Sequence, residues 1–376
     1  MRKKHVINFF RKRTATSLSG ISLNRMVWHR FCRNRLAVVS LCIIGLLTLT
    51  ALLGYLITPD HTPHCNQQYL ELAAMKPMSR ATFLYTQLPE GTVPRRGLLH
   101  RMCNGDPLSY RAQPIYAYRY EGDTLVAESY TGSDPNDGEE LRYARSEVVK
   151  VTQRTFILGT DSYGRDVLSL LLIGSRVSLS VGFIAILIAL LIGITLGSLA
   201  GYFGGWVDSL VMWFINVVWS IPTVLLVIAI TFALGKGFWQ VFVAVGLTMW
   251  VDIARVVRGQ VLSLKEKEYV EAARALGFRA GRIIFHHILP NTVGAIIVIA
   301  ASNFATAILL EAGLSFLGIG VQPPMVSWGS MVKENTSYLL LDNAYLALLP
   351  GAAIMIVVLA FMLVGNGIRD AVDVKQ

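Results

Sequence analysis

The sequence predicts an all-α polytopic membrane protein with about six transmembrane helices, plus a small strand-containing insertion between helices 1 and 2. Three observations predict this fold. The 376 residues are 53% hydrophobic and 15% charged, whereas an average soluble domain is about 25% charged. Long apolar runs recur along the chain, and a helix needs roughly 20 apolar residues to cross a bilayer. The segment 58–157 lacks such a run and has strand-like patterning instead.

The apolar runs define six predicted spans. They are Leu36–Ile57, Val177–Val207, Ser209–Gly235, Gly237–Val251, Asn291–Leu310 and Asn343–Ile368. The first is too long for a signal peptide and no small-residue cleavage site follows it, so we expect it to remain as an anchor. The fourth is short, and we expect it to reach the interface near Arg255. A tight turn around Gly204–Asp208 joins the second and third, and Pro222 predicts a bend in the third.

The charge distribution predicts the topology. Residues 1–35 carry ten Lys or Arg and no acid, which accounts for the whole net charge of +10. A basic tail next to a span indicates a cytoplasmic N-terminus, and six crossings return the C-terminus to the cytoplasm. A basic tail could instead bind nucleic acid, but its position favours topology and we expect no nucleic-acid partner. The same topology places 58–157 outside the cell.

The insertion, 58–157, is predicted to contain strands. They are Ala81–Thr86, Ile115–Tyr120, Leu125–Tyr130 and Val148–Phe156. Glu121–Asp123 is a predicted hairpin turn between two of them. Cys65 and Cys103 could form a disulfide in an oxidising compartment or remain free thiols. His61 and His64 could bind a metal with Cys65, but no further ligand stands at a fixed spacing, which favours a surface cluster without metal.

Three acids near the spans are candidate functional residues, because ionisable groups inside a membrane are costly. Asp208 follows a tight turn and is predicted to be interfacial. Asp252 could pair with Arg255 or Arg258 on the next turn. Glu311 ends the fifth span, where it could line a pathway or make a structural hydrogen bond at the outer interface.

The segment 263–290 is predicted to form a projecting knob between spans four and five. Ser263–Leu276 has helical periodicity, with an apolar edge at Tyr269, Val270, Ala273 and Leu276. Gly277 is suited to end this helix in a left-handed conformation. A second short helix follows, and Pro290 is predicted to start the next span. The small residues Ala272 and Ala273 leave room for a partner surface.

This segment resembles the Glu-Ala-Ala…Gly coupling loop in the permeases of binding-protein-dependent ABC importers. The matching positions are Glu271, Ala272, Ala273, Gly277, Leu289 and Pro290. His287 departs from the pattern, because the broad consensus has an apolar residue there. In that family the loop docks on the ATPase subunit and transmits its closure to the pore.

Two further motifs resemble the second-type (C-type) membrane subunit of dipeptide/oligopeptide importers, a branch that includes nickel importers. They are Leu158–Ser169 before span two and Gly318–Gly329 after span five. Trp328 suits an interface belt, and with Glu311 it is a candidate for the pathway or outer gate. The resemblance covers Arg25–Ile57 and Leu158–Val374, whereas the insertion is longer than the family leads us to expect.

The resemblance implies a permease subunit that forms half of a solute pathway in a bacterial plasma (inner) membrane. It implies four kinds of partner: a second homologous permease, two ABC ATPase subunits, an extracytoplasmic solute-binding protein and the lipid bilayer. It also implies that the chain is not an enzyme and holds no cofactor, with ATP and Mg²⁺ on the ATPase subunits. No Gly-x-x-x-x-Gly-Lys-Ser/Thr loop occurs in the sequence.

The expected organisation has four parts. These are the basic tail 1–35, the first span 36–57, the insertion 58–157, and the permease core 158–376 with its coupling loop at 263–290. Two other functions remain open. An ion-coupled secondary transporter often shows internal repeats and broken helices. A membrane-anchored sensor or assembly protein would act through the insertion.

Overall fold

The computed structural model describes residues 23–88, 97–132, 135, 137–235, 237–340 and 342–372. Most of the predicted basic tail, and part of the acidic loop before Glu140, therefore lie outside the described residues. The helices are α1 (Leu23–Arg33), α2 (Arg35–Leu53), α3 (Leu98–Asn104), α4 (Val167–Phe203), α5 (Gly205–Trp219), α6 (Thr223–Leu234), α7 (Phe238–Leu264), α8 (Glu268–Ala275), α9 (Ala280–Arg282), α10 (Leu289–Phe316), α11 (Trp328–Glu334) and α12 (Tyr345–Val372).

The prediction of about six membrane-spanning helices is confirmed. Five helical stretches are long and apolar enough to cross a bilayer: Arg35–Leu56, Val167–Phe203, Phe238–Leu264, Ala280–Phe316 and Tyr345–Val372. The sixth span is the pair α5 and α6, which is bent by 92°. The bend falls at Ser220–Pro222, as Pro222 predicted, because proline cannot continue the helical hydrogen bonds.

Two spans are longer than their apolar runs. The second begins at Val167 rather than Val177, and the fourth continues to Leu264 rather than ending at Val251. The extension of α7 is stable because one face of it is buried against α4. A Cβ built on Gly193 would lie 2.7 Å from the Cβ of Ile253, and one on Gly197 would lie 2.5 Å from the Ala254 carbonyl oxygen. These glycines therefore allow close helix packing.

The insertion contains a five-stranded antiparallel sheet with strand order β4-β3-β2-β1-β5. Its strands are β1 (Ser79–Gln87), β2 (Tyr110–Glu121), β3 (Thr124–Ser129), β4 (Glu140–Ala144) and β5 (Val148–Phe156). The four predicted strands are present, and the predicted hairpin turns at Gly122, where φ is +64°. Strand β4 was not predicted, because this partly exposed edge strand is short and carries Glu140 and Arg142.

Arg176 of α4 joins the insertion to the membrane bundle. Its guanidinium donates hydrogen bonds to the carbonyl oxygens of Ala51 and Leu52 at the end of α2, at 2.8 and 3.1 Å. It also donates to the carbonyl oxygens of Met102 and Cys103 in α3, both at 2.9 Å. One side chain therefore holds the first span, the insertion and α4 together.

Of the two alternatives for Cys65 and Cys103, the structure has free thiols rather than a disulfide. Cys65 is buried and its thiol donates to the Asp60 carbonyl oxygen at 3.1 Å, whereas Cys103 is exposed. Burial, and then the charge of Asp60, raises the pKa of the Cys65 thiol. His61 Nδ1 is hydrogen-bonded to the Tyr55 carbonyl oxygen at 2.6 Å. Within the described ranges, no three potential metal ligands lie together.

Candidate functional site

The coupling loop contains one short amphipathic helix, α8, anchored on its inner side. It begins at Glu268 rather than Ser263, because α7 runs to Leu264 and the chain then turns. Val270 is fully buried and Ala273 is 4% exposed. Gly277, with φ of +77°, follows the helix in the predicted left-handed conformation. The buried residues fix α8 against the bundle.

The outward side of the coupling loop is exposed. Glu271 and Ala272 are exposed, and the side chain of Leu276 is 73% exposed. The expectation that Ala273 leaves room for a partner was wrong, because Ala273 packs inward. Of the predicted apolar edge, Val270 and Ala273 are buried, whereas Tyr269 and Leu276 are exposed. The periodicity marked the apolar positions but did not show that they divide between two surfaces.

The second half of the coupling loop is continuous with the fifth span. After α9, residues Ile283–Ile288 form a π-helical turn that runs directly into α10. Pro290 therefore lies in the first turn of α10, as predicted, where proline is tolerated. The helical stretch Ala280–Phe316 nevertheless runs through this position without a break.

Side chains tie α8 to α10. The rings of Phe278 and His287 stack with centroids 5.9 Å apart, which gives the unusual histidine of the coupling loop a packing role. The Asn291 amide donates to the Tyr269 hydroxyl at 3.4 Å and to the His287 carbonyl oxygen at 2.7 Å. These contacts place the coupling loop against the start of α10.

A bidentate ion pair connects α5 and α7 near the coupling loop. The Arg258 guanidinium contacts the Asp208 carboxylate at 2.5 and 2.6 Å. The predicted pairing of Arg258 with Asp252 is therefore wrong. Arg255 does not pair with Asp252 either; its guanidinium lies 3.8 Å from the centroid of the Trp219 ring.

The opposite end of the bundle carries the sheet, and we call it the sheet end. Glu311 and Trp328 are both buried there. Glu311 is fully buried, and its carboxylate accepts hydrogen bonds from Ser178 Oγ at 3.2 Å and Ser315 Oγ at 2.7 Å. Trp328 is 1% exposed and its indole donates to the Leu171 carbonyl oxygen at 2.9 Å. The expected interface-belt position of Trp328 is wrong, and neither side chain faces an open surface of this chain.

The motif Leu158–Ser169 folds as an ion cluster followed by a helix cap. Arg165 contacts Asp161 and Glu334, both at 2.6 Å, and its side chain is only 7% exposed. Asp166 caps α4, since its carboxylate accepts from the Ser169 amide at 2.8 Å. Asp161 does not cap the helix; its carboxylate accepts from backbone amides of its own turn.

Two cavities lie along one groove between α7 and α10, which we call the seam. They have volumes of about 680 Å³ and 120 Å³. Four of the six α7 residues that line them are spaced four apart, on one face of the helix; these are Thr248, Asp252, Val256 and Gln260. From α10, the seam is lined by Asn291, Ala295, Ser302 and Thr306 among others. Both cavities therefore follow the same line through the bundle.

The seam carries exposed polar side chains among apolar ones. Asp252, Gln260, Asn291, Ser302 and Thr306 are all exposed in this chain. Polar groups facing lipid are costly because hydrocarbon offers them no hydrogen-bond partner. This face is therefore suited to water or to another protein. Sequence analysis identified only Asp252; the four-residue spacing of polar residues in an apolar helix was the signal for the others.

Comparison with known proteins places these features in a family. Residues 193–375 match the family of binding-protein-dependent transport system inner membrane components. Residues 22–77 match the N-terminal transmembrane domain of oligopeptide transport permease C. Most of the β-sheet, from Ser79 onward, lies between these two matches.

Three curated relatives are similar over more than half of the chain. A dipeptide transport system permease protein of Alkalihalophilus pseudofirmus is 44% identical over 218 residues, covering 58% of this chain and 71% of the relative. A glutathione transport system permease protein of Pectobacterium atrosepticum is also 44% identical, covering 58% and 72%. An oligopeptide transport system permease protein of Bacillus subtilis is 40% identical, covering 58% and 71%.

These matches, together with the membrane helices, identify a multi-pass inner membrane protein. The family consists of transport permeases rather than catalytic enzymes, and membership implies an ATPase and a substrate-binding protein as partners. The chain belongs to the binding-protein-dependent ABC transport permeases, in the C-type branch of dipeptide/oligopeptide membrane subunits.

Proposed function

We propose that this chain forms half of the translocation pathway of an ATP-driven importer for di- or oligopeptides. The observation that carries the proposal is the division of α8 into two sides. Val270 and Ala273 anchor the helix inward, while Glu271, Ala272 and Leu276 are exposed. A short anchored helix with an exposed apolar and acidic surface is suited to docking in a groove of a partner subunit.

Peptides are the proposed solutes because of the relatives. The three similar permeases are named for transport of dipeptides, glutathione and oligopeptides, all of which are peptides. The proposed assembly contains this chain, a second homologous permease, two ABC ATPase subunits that bind ATP and Mg²⁺, and an extracytoplasmic solute-binding protein. The seam is the surface we assign to the second permease and the solute.

The contacts of the coupling loop support a route from ATPase to pathway. Closure of the ATPase subunits would displace α8, and the Phe278–His287 stack and the Asn291 hydrogen bonds would carry this displacement to α10. Because α10 lines the seam, its movement would change access to the solute. This is the rigid-body rearrangement of helices that alternating access requires.

We place the insertion on the extracytoplasmic side. It joins the bundle at the start of α4, whereas the end of α4 lies at the coupling loop, where Lys265 Nζ donates to the Gly201 carbonyl oxygen at 3.2 Å. A helix of 37 residues is about 55 Å long, enough to cross the bilayer. A cytoplasmic coupling loop therefore requires an extracytoplasmic sheet.

The proposal is tested by uptake of a labelled peptide into cells or proteoliposomes. Glu271→Lys and Gly277→Pro are expected to abolish uptake while the chain remains in the membrane. Asp370→Lys, an exposed acid on the last turn of α12, is the matched charge-reversal control and is expected to retain uptake.

Three results would contradict the proposal. Normal uptake by Glu271→Lys and Gly277→Pro would remove the coupling role of α8. Uptake driven by an ion gradient without ATP would favour a secondary transporter. Loss of function on deletion of 58–157, with silent coupling-loop variants, would favour a sensor or assembly protein.

A further inference from the structure

Three acids were candidate functional residues in the sequence, and of these three only one is open. Asp208 is paired with Arg258, and Glu311 is fully buried among serine hydroxyls. Asp252 is exposed, and it forms neither a hydrogen bond nor an ion pair with any residue that the structure describes. Asp252 is therefore the acid whose position the chain's own contacts do not explain.

The depth of Asp252 makes lipid an unsuitable environment for it. Arg258 lies next to the turn between α4 and α5, because it is paired with Asp208. Asp252 precedes Arg258 by six residues on the continuous helix α7, so it lies about 9 Å further into the membrane. Charged side chains at such depths face bundle interiors or water-filled paths.

Asp252 opens into the smaller seam cavity, of about 120 Å³. This cavity lies at the break between α5 and α6, and Trp219 and Thr223 line it from either side of the break. The Thr248 and Thr306 hydroxyls also line it and donate to carbonyl oxygens of their own helices, at 2.8 and 3.2 Å. Their remaining lone pairs are acceptors, so the polar groups of this cavity suit a hydrogen-bond donor.

The neighbouring arginine forms no ion pair with Asp252. Arg255 is three residues further along α7, but its guanidinium lies over Trp219, which also lines the cavity, and its buried Nε has no hydrogen-bond partner. The Asp252 carboxylate therefore lines a small cavity without a hydrogen-bonded counter-charge among the described residues. A primary ammonium group has three donors and a positive charge, which matches one carboxylate and nearby hydroxyl acceptors.

We propose that Asp252 binds the α-ammonium group of the peptide during transit through the seam. This inference rests on the proposed function as a peptide permease. A cavity of 120 Å³ accommodates the terminal ammonium group and its α-carbon, while the remainder of the peptide extends along the seam towards the 680 Å³ cavity. Val256 and Ser302, which line that larger cavity, lie one turn beyond Asp252 and Thr306 on the same two helices.

The test compares peptide uptake by reconstituted importers that differ only at Asp252. The complete complex is placed in proteoliposomes with its solute-binding protein, and an equimolar mixture of labelled di-, tri- and tetra-alanine is the probe. Asp252→Asn is expected to lower the uptake rate by about 10-fold to 100-fold, because it removes a charge-assisted hydrogen bond. Asp252→Glu is expected to recover a substantial part of the rate, and Asp370→Asn to leave it unchanged.

A second readout separates solute recognition from coupling. Receptor-stimulated ATP hydrolysis by Asp252→Asn is expected to stay within about twofold of wild type, since α8 and its contacts are untouched. Uptake within twofold of wild type would overturn the inference. So would a parallel loss of ATP hydrolysis, because Asp252 would then act in assembly or coupling. A wild-type complex that takes up none of the three peptides would contradict the proposed function instead.

Discussion

At the sheet end of the bundle, Arg165 contacts two carboxylates at 2.6 Å, whereas in the seam Arg255 and Asp252 contact no opposite charge among the described residues. Both regions carry charges at or within the membrane bundle, where an unpaired charge is costly. At the sheet end this cost is offset within the chain. In the seam it is not, and this difference indicates that the seam is completed by water, a second permease or solute.

Arg165→Leu is the largest expected effect on stability. It would leave Asp161, whose side chain is 2% exposed, without its counter-charge. Breaking such a buried pair costs about 3–5 kcal/mol in the free energy of unfolding. In the seam, Arg255→Leu removes a contact with Trp219 and should cost about 1 kcal/mol. Thermal unfolding of both purified variants in detergent measures the two losses of stability. Equal losses would contradict the expected difference between the two regions.

Aspartate substitutions on two exposed faces test the environment of the seam. Leu46 is 61% exposed on α2, whose outward side chains are apolar, and Thr306 is exposed in the seam. An aspartate at the centre of a lipid-facing helix costs about 2.5–3.5 kcal/mol. Leu46→Asp should therefore reduce the amount of protein in isolated membranes much more than Thr306→Asp. An equal reduction would indicate that lipid covers both faces.

Substitutions of Glu311 test the contrast between this acid, which has hydrogen-bond partners, and Asp252, which has none among the described residues. Glu311→Ala would leave the hydroxyls of Ser178 and Ser315 without their acceptor, at a cost of about 1–3 kcal/mol. Glu311→Gln keeps one carbonyl oxygen acceptor in the same place and should lose less stability. Chemical denaturation of the two variants measures this difference. A greater loss for Gln than for Ala would contradict the hydrogen-bonded role.

The smallest expected effect is that of a reducing agent. The sheet end is held by Arg176 and the ion cluster, not by a disulfide, so dithiothreitol should leave the unfolding temperature unchanged. In the native protein, a thiol reagent should label the exposed Cys103 and leave the buried Cys65 unmodified. Mass spectrometry after labelling checks both sites. A downward shift in the unfolding temperature on reduction would restore the disulfide hypothesis.

The spans were predictable because the bilayer imposes a simple rule on composition and length. The bend at Pro222 and the hairpin at Gly122 were predictable because each depends on the backbone chemistry of one residue. The ends of α7 were not, since its extension depends on packing against Gly197 of α4, nearly 60 residues away. The edge strand β4 escaped detection because it carries as many charged as apolar residues.

The motif of the candidate site was predictable from the sequence. Which of its side chains face inward and which face outward was not. The motif marked Glu271 and Gly277 correctly as an exposed position and a helix end. It did not show that Ala273 packs inward, because neighbouring small residues look alike in one sequence. The partner of Arg258 is 50 residues away on another helix, beyond the reach of spacing arguments. For the same reason, spacing could not show that Asp252 lacks an ion-pair partner, because the contacts of Arg255 and Arg258 are with another helix.

The central claim is that this chain is a pathway subunit that depends on separate ATPase subunits. The most direct test is a mild-detergent pull-down of the tagged chain, with mass spectrometry of the proteins that accompany it. The account predicts a second permease and ATPase chains, which Glu271→Lys should release while retaining the permease. A lone or self-paired chain with no ATPase would contradict the account and favour an ion-coupled transporter.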